Sequence, residues 1–166
     1  MVHPELQLAD AGQTEALGRA LARTAPLSAP QPILVFLLGE LGAGKTTLAR
    51  ALLRELGAEG TVRSPTYTLL ERYPLPALLV LHVDLYRLHG ADDLEALGLR
   101  DDLRPGVLVL VEWPERAGDA LPPADLRVSL GFPADAAGEG RLVQLLAGSV
   151  EGQAWLERLV ALRSQK

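Results

Sequence analysis

The chain has 166 residues, of which 48% are hydrophobic and 22% charged, with no cysteine and a formal net charge of −5. That length suits one domain with its own core, and the lack of cysteine excludes disulfides, thiolate metal sites and cysteine nucleophiles. An acidic balance argues against an unaided grip on nucleic acid, which rests on clustered Lys and Arg, so any contact with RNA is expected to be indirect.

The opening residues MVHPELQLADAGQ lack the basic start and apolar stretch of a secretory signal. No apolar run approaches the roughly 20 residues that cross a bilayer, so a cytoplasmic location and no membrane contact are expected. Asp10 is a plausible N-cap for a helix over residues 10–25, with Leu17, Ala20 and Leu21 on one face. Pro26, Pro30 and Pro32 then break the chain before Ile33 to Leu38, an unbroken apolar run that predicts a strand buried on both faces. Gly39 to Gly44 form a loop, and Lys45 to Leu56 follow with helical spacing, stopped by Gly57.

Val62 to Tyr73 mixes β-branched and aromatic residues around Ser64-Pro65, which predicts a loop leading into an edge or antiparallel strand. Leu78 to Val83 reads as a second buried strand ending at Asp84, Ala91 to Leu103 as one or two short helices, and Val107 to Val111 as a third buried strand ending at Glu112. Residues 125–132 and 141–147 alternate apolar and polar positions as an antiparallel pair would, and Ser149 to Arg163 is expected to close the chain as an amphipathic helix. The whole predicts one α/β domain over 1–166, a three-layer α/β/α sandwich with a mixed, mainly parallel central sheet and a C-terminal helical extension over 149–166.

Gly39, Glu40, Leu41, Gly42, Ala43, Gly44, Lys45 and Thr46 spell G-x-x-x-x-G-K-[ST] between a predicted strand and a predicted helix, the context that gives this motif its meaning. Such glycines let successive backbone N–H groups curl inward around phosphates, and the helix that follows adds its positive dipole end. Lys45 is then the point charge on the β and γ phosphates, and Thr46 the hydroxyl offered to Mg²⁺. Lysine occurs elsewhere only at the terminal Lys166, so position 45 requires lysine specifically. A phosphate-bound magnesium also needs a carboxylate at the end of a neighbouring strand, and Asp84 and Glu112 both stand there. Asparagine is absent from the chain, so the Asn-Lys-x-Asp element that reads guanine cannot form. His3, His82 and His89 have no zinc-ligand spacing, which leaves Mg²⁺ as the expected metal.

Around this motif several side chains admit two readings. Trp113 is a packing anchor or a pocket wall, and Arg87 a phosphate clamp or a surface ion pair. His82 shares a strand face with Asp84 and is expected to be a hydrogen-bonded structural group rather than a base. Thr66 lies on a polar loop after the first βα unit, where nucleotide enzymes often place a segment that senses the γ phosphate.

The blocks GELGAGKTTLAR, SPTYTLLERY, HVDLYRL, LGLRDDL and LVEWPERAGDALP, in that order, resemble the bacterial TsaE (YjeE) family and cover most of residues 33–131. The resemblance implies a small Mg²⁺-dependent ATPase that works with the TsaD and TsaB proteins, which install threonylcarbamoyl on adenosine 37 of tRNAs reading ANN codons. It implies catalytic roles for Lys45, Asp84, Glu112 and Thr66, metal contacts from Thr46, Glu112 and Asp84, and ATP contacts from the loop, Thr47 and Trp113. It further implies an adenine contact near Thr14, an approach of Arg141 to the phosphates, and a rim or partner surface at Tyr86 and Arg87. Residues 132–166 match the family only weakly. Two other readings remain: a small-molecule phosphotransferase, for which no arginine-rich lid is visible, and a binding module that ATP merely orders.

Overall fold

The computed structural model describes residues 4–134 and 140–165; His3 and Lys166 lie outside them. A 7-stranded sheet runs through the molecule in the order β1-β7-β6-β2-β5-β4-β3. Its strands are β1 (Glu5–Leu8), β2 (Ile33–Leu38), β3 (Leu70–Pro74), β4 (Leu79–Asp84), β5 (Val107–Glu112), β6 (Leu126–Gly131) and β7 (Arg141–Ala147). β4, β5, β2 and β6 are parallel neighbours, β3 and β7 run against them, and β1 pairs antiparallel with β7.

The apolar runs occupy the middle of the sheet because only there are both faces covered. On β2, Ile33, Val35 and Leu37 join a core cluster on one face, and Leu34 joins the cluster on the other. On β5, Leu108 and Leu110 face the first cluster, while Val107, Val109 and Val111 face the second. The first face is covered by α1 (Ala11–Thr24), α2 (Lys45–Glu55) and α5 (Val150–Ser164), the second by α3 (Ala91–Ala96), α4 (Leu99–Asp102) and a 3-10 turn at Pro114–Ala120. Three layers result.

Each helix has a local reason to start where it does. The Asp10 carboxylate accepts the N–H of Gln13 at 2.9 Å and caps α1, and the Ser149 hydroxyl accepts the N–H of Gly152 at 3.0 Å and caps α5. The 91–103 segment splits into two helices at Gly98, whose φ of 66° no continuing helix allows. Helix α5 is more than an appendage. Trp155 is fully buried in the first cluster, and its Nε1 donates to the Leu21 carbonyl and the Thr24 hydroxyl, both at 3.1 Å. Its amphipathic pattern is imperfect, since Val150 and Val160 face solvent. The apolar patterns of the sequence predict neither the short β1 nor the 3-10 turn.

Candidate functional site

β2 ends at Leu38, and the chain turns at once through Gly39, where φ is 142°. A Cβ here would lie 2.3 Å from the Leu130 carbonyl oxygen, so the turn against β6 admits only glycine. The loop then delivers Lys45 and Thr46 as the first residues of α2, with N–H groups of the first turn left free for an anion. Arg141 braces the loop from β7: its Nε donates to the Ala43 carbonyl and its NH2 to the Gly42 carbonyl, each at 3.0 Å.

Lys45 is nearly inaccessible, and its Nζ donates to the carbonyls of Gly39 at 2.6 Å and Glu40 at 2.9 Å. The same ammonium lies 4.2 Å from the centroid of the Trp113 ring, a cation–π contact. Burial holds the Lys45 pKa below the ordinary lysine value, opposed first by the Glu112 charge, then by Glu115 and Asp84. Trp113 reaches this position through a left-handed backbone, φ 58° and ψ 46°. Among the described residues the other non-glycine with positive φ is Leu69, whose carbonyl accepts the N–H of Asp84 at 3.0 Å. Strained backbone of this kind, at roughly 1–3 kcal/mol each, collects at functional sites.

Asp84 and Glu112 are directly paired across β4 and β5, and both point toward α2, on the face of Val80 and Leu110. The Thr46 hydroxyl shares its proton between the Glu112 oxygens, 3.1 Å from Oε1 and 3.0 Å from Oε2. Asp84 holds the preceding loop. Its Oδ2 accepts from the Ser64 hydroxyl and, at 3.2 Å, from the Thr66 hydroxyl, while its Oδ1 accepts the N–H of Tyr86 at 3.0 Å. A cleft of about 280 Å³ gathers Lys45, Thr46, Asp84, Glu112, Thr66 and Trp113 along its lining. Tyr86 sits at its rim, 4.9 Å from Trp113 between ring centroids.

On the far side of the loop a second cleft, of about 370 Å³, is lined by Asp10, Thr14, Gly42, Gly44, Thr47 and Arg141. The two clefts meet at Gly42, Gly44 and Thr47, so an extended ligand can lie across the loop. Thr14 therefore does not join Lys45 in the first cleft, and Arg87 stands away from the loop with its guanidinium 4.6 Å from the Tyr67 ring centroid. Ser64 joins the site as well, although the sequence marks it only by a hydroxyl two residues before Thr66. Among the described residues no group of three or more His, Cys, Asp or Glu side chains could hold a metal alone. One hydroxyl and two carboxylates suit Mg²⁺, which keeps waters and takes further ligands from substrate phosphates.

A parallel-stranded sheet with a glycine loop and lysine at a helix N-terminus, beside carboxylates at adjacent strand ends, defines a P-loop α/β protein. A crystal structure of Bacillus subtilis YdiB has the same fold, with a TM-score of 0.74 over 99% of this chain and 97% of that one at 24% identity. The model of the family "Threonylcarbamoyl adenosine biosynthesis protein TsaE" matches residues 8–139. The tRNA threonylcarbamoyladenosine biosynthesis protein TsaE of Haemophilus influenzae is 42% identical over 121 residues, 73% of this chain and 74% of that protein. Its counterpart in Streptomyces coelicolor is 44% identical over 119 residues, 69% and 76% of the two chains. The chain belongs to the TsaE family. β7 and α5 lie beyond the family match.

Proposed function

We propose that this chain is a cytoplasmic Mg²⁺-dependent ATPase that supports formation of N6-threonylcarbamoyladenosine at tRNA position 37, acting in complex with TsaD and TsaB and touching tRNA only through them. The observation that carries the ATPase reading is the meeting of Lys45, Thr46, Asp84 and Glu112 in one cleft below the glycine loop. The family and the names of its relatives support the pathway.

In this reading the loop amides and the N-terminus of α2 bind the triphosphate, and Lys45 leaves the carbonyls of Gly39 and Glu40 to meet the β and γ phosphates. Thr46 and Glu112 turn their oxygens to Mg²⁺, which when bound neutralises charge developing on the phosphate oxygens. Asp84, held by Ser64, Thr66 and the Tyr86 amide, contacts the metal site or orients the attacking water. The second cleft, with Asp10 and Thr14, has room for the nucleoside. Leu41, on the lining of the first cleft, is 74% exposed, which supports a partner that covers the site.

Reconstitution tests this. Purified chain with TsaD, TsaB and tRNA is expected to release inorganic phosphate faster than the chain alone, with several rounds of modification per complex. Equal phosphate release with and without the partners would remove the partner-completed site, and a phosphorylated small-molecule product would favour the phosphotransferase.

A further inference from the structure

His82 is the one buried polar side chain of β4 that faces α2 without reaching the clefts. It is fully buried, on the strand face of Val80 and Asp84, and its Nε2 lies 2.8 Å from Oε1 of Glu112. A carboxylate of this kind only accepts, so the ring proton sits on Nε2 and is donated to Glu112. That assignment leaves Nδ1 without a partner among the described residues. A buried ring nitrogen with no partner is a cost that a valine or leucine, as at Val80 and Leu81, would not carry. The imidazole therefore has one bond to justify its place, the bond to Glu112.

That bond decides how Glu112 is turned. Oε1 is shared between His82 and Thr46, whereas Oε2 accepts from Thr46 at 3.0 Å, and Glu112 lines the cleft. Rotating the carboxylate away from the Thr46 hydroxyl would break the His82 bond to Oε1 as well. We propose that His82 is a positioning residue which holds the Glu112 carboxylate so that Oε2 and the Thr46 hydroxyl address one cation position. The inference rests on the Mg-nucleotide reading above, and His82 itself touches neither metal nor nucleotide.

Calorimetric titration of ADP into the full chain, without metal and over a series of Mg²⁺ concentrations, separates the two. His82→Leu keeps volume and drops the donor; His82→Gln keeps an N–H at similar reach. His82→Leu is expected to raise the half-saturating Mg²⁺ concentration roughly tenfold or more. Metal-free ADP affinity is expected to stay within about twofold and His82→Gln to recover most of the loss, since only the orienting hydrogen bond differs between them. Unchanged Mg²⁺ dependence in His82→Leu, or equal losses in both variants with and without metal, would overturn the proposal. If His82→Leu does not fold, ring ¹⁵N spectra of the unaltered chain decide: protonated Nε2, bare Nδ1 and a shift that Mg²⁺ plus ADP produces and ADP alone does not support it, and the absence of that shift refutes it. A parent chain that binds ADP but shows no Mg²⁺ dependence fails the metal reading itself, whereas a Mg²⁺-dependent parent with an indifferent His82→Leu fails only this inference.

Discussion

Lys45 holds its ammonium against a desolvation cost. Burial disfavours its ammonium, and the nearby carboxylates only partly offset that. Because its folded pKa lies below the unfolded value, the penalty is fully present below the folded pKa and is relieved as pH rises from there toward 10.5. Lys45→Met is therefore predicted to have a nucleotide-free Tm at pH 7 no lower than the parent, with the gap closing as pH approaches that value. The same variant should lose ATP affinity by about 10- to 100-fold, the equivalent of a hydrogen bond to a charged group. Thermal scans with and without Mg-ATP check both; a variant that melts several degrees lower and still binds would contradict the account. Glu112→Ala removes the acceptor for Thr46 and His82 together, so phosphate release should fall far more than partner binding, as rate and pull-down measurements would show. Lys45, Thr46, Asp84 and Glu112 were legible because a spaced motif and strand ends fix them. Ser64 and the His82 contact were not, since both depend on which strands lie side by side.

At the scale of elements, α1 and α2 approach closely where Gly18 meets Leu48. A Cβ on Gly18 would lie 2.5 Å from the Leu48 carbonyl and 2.9 Å from the Ala51 Cβ. Alanine there gains helix propensity of roughly 1 kcal/mol but overpacks the contact, so Gly18→Ala is predicted to be net destabilising by about 1–3 kcal/mol in urea unfolding. Trp155 anchors α5 to α1, and Trp155→Ala should cost about 3–5 kcal/mol by the same measurement, although the family match stops before that helix. The buried strands, both P-loop flanks and the antiparallel 125–147 pair were readable from apolar runs and alternation. β1 was not: its four residues offer only Leu6 and Leu8 as apolar positions, and its partner β7 is remote in sequence. The 3-10 turn after Trp113 was also hidden, because Pro114 and Gly118 signal a loop as readily as a turn of helix.

Over the whole molecule, the strand order sets β2 between β5 and β6 and brings Glu112 beside the loop that follows β2. Asp84 arrives one strand further out, with the Ser64–Thr66 loop tied to it. No helix among the described residues is long and apolar enough to cross a membrane. Sheet class and layering followed from the sequence because parallel core strands must be apolar on both faces; the order of the strands did not, since pattern alone does not choose neighbours. If this arrangement holds a magnesium-bound adenine nucleotide, as we propose, the binding itself is measurable. Isothermal calorimetry of ATP into the chain with Mg²⁺ is predicted to show saturable one-to-one binding that Lys45→Met weakens at least tenfold. No measurable heat, or equal affinity in the variant, would contradict it.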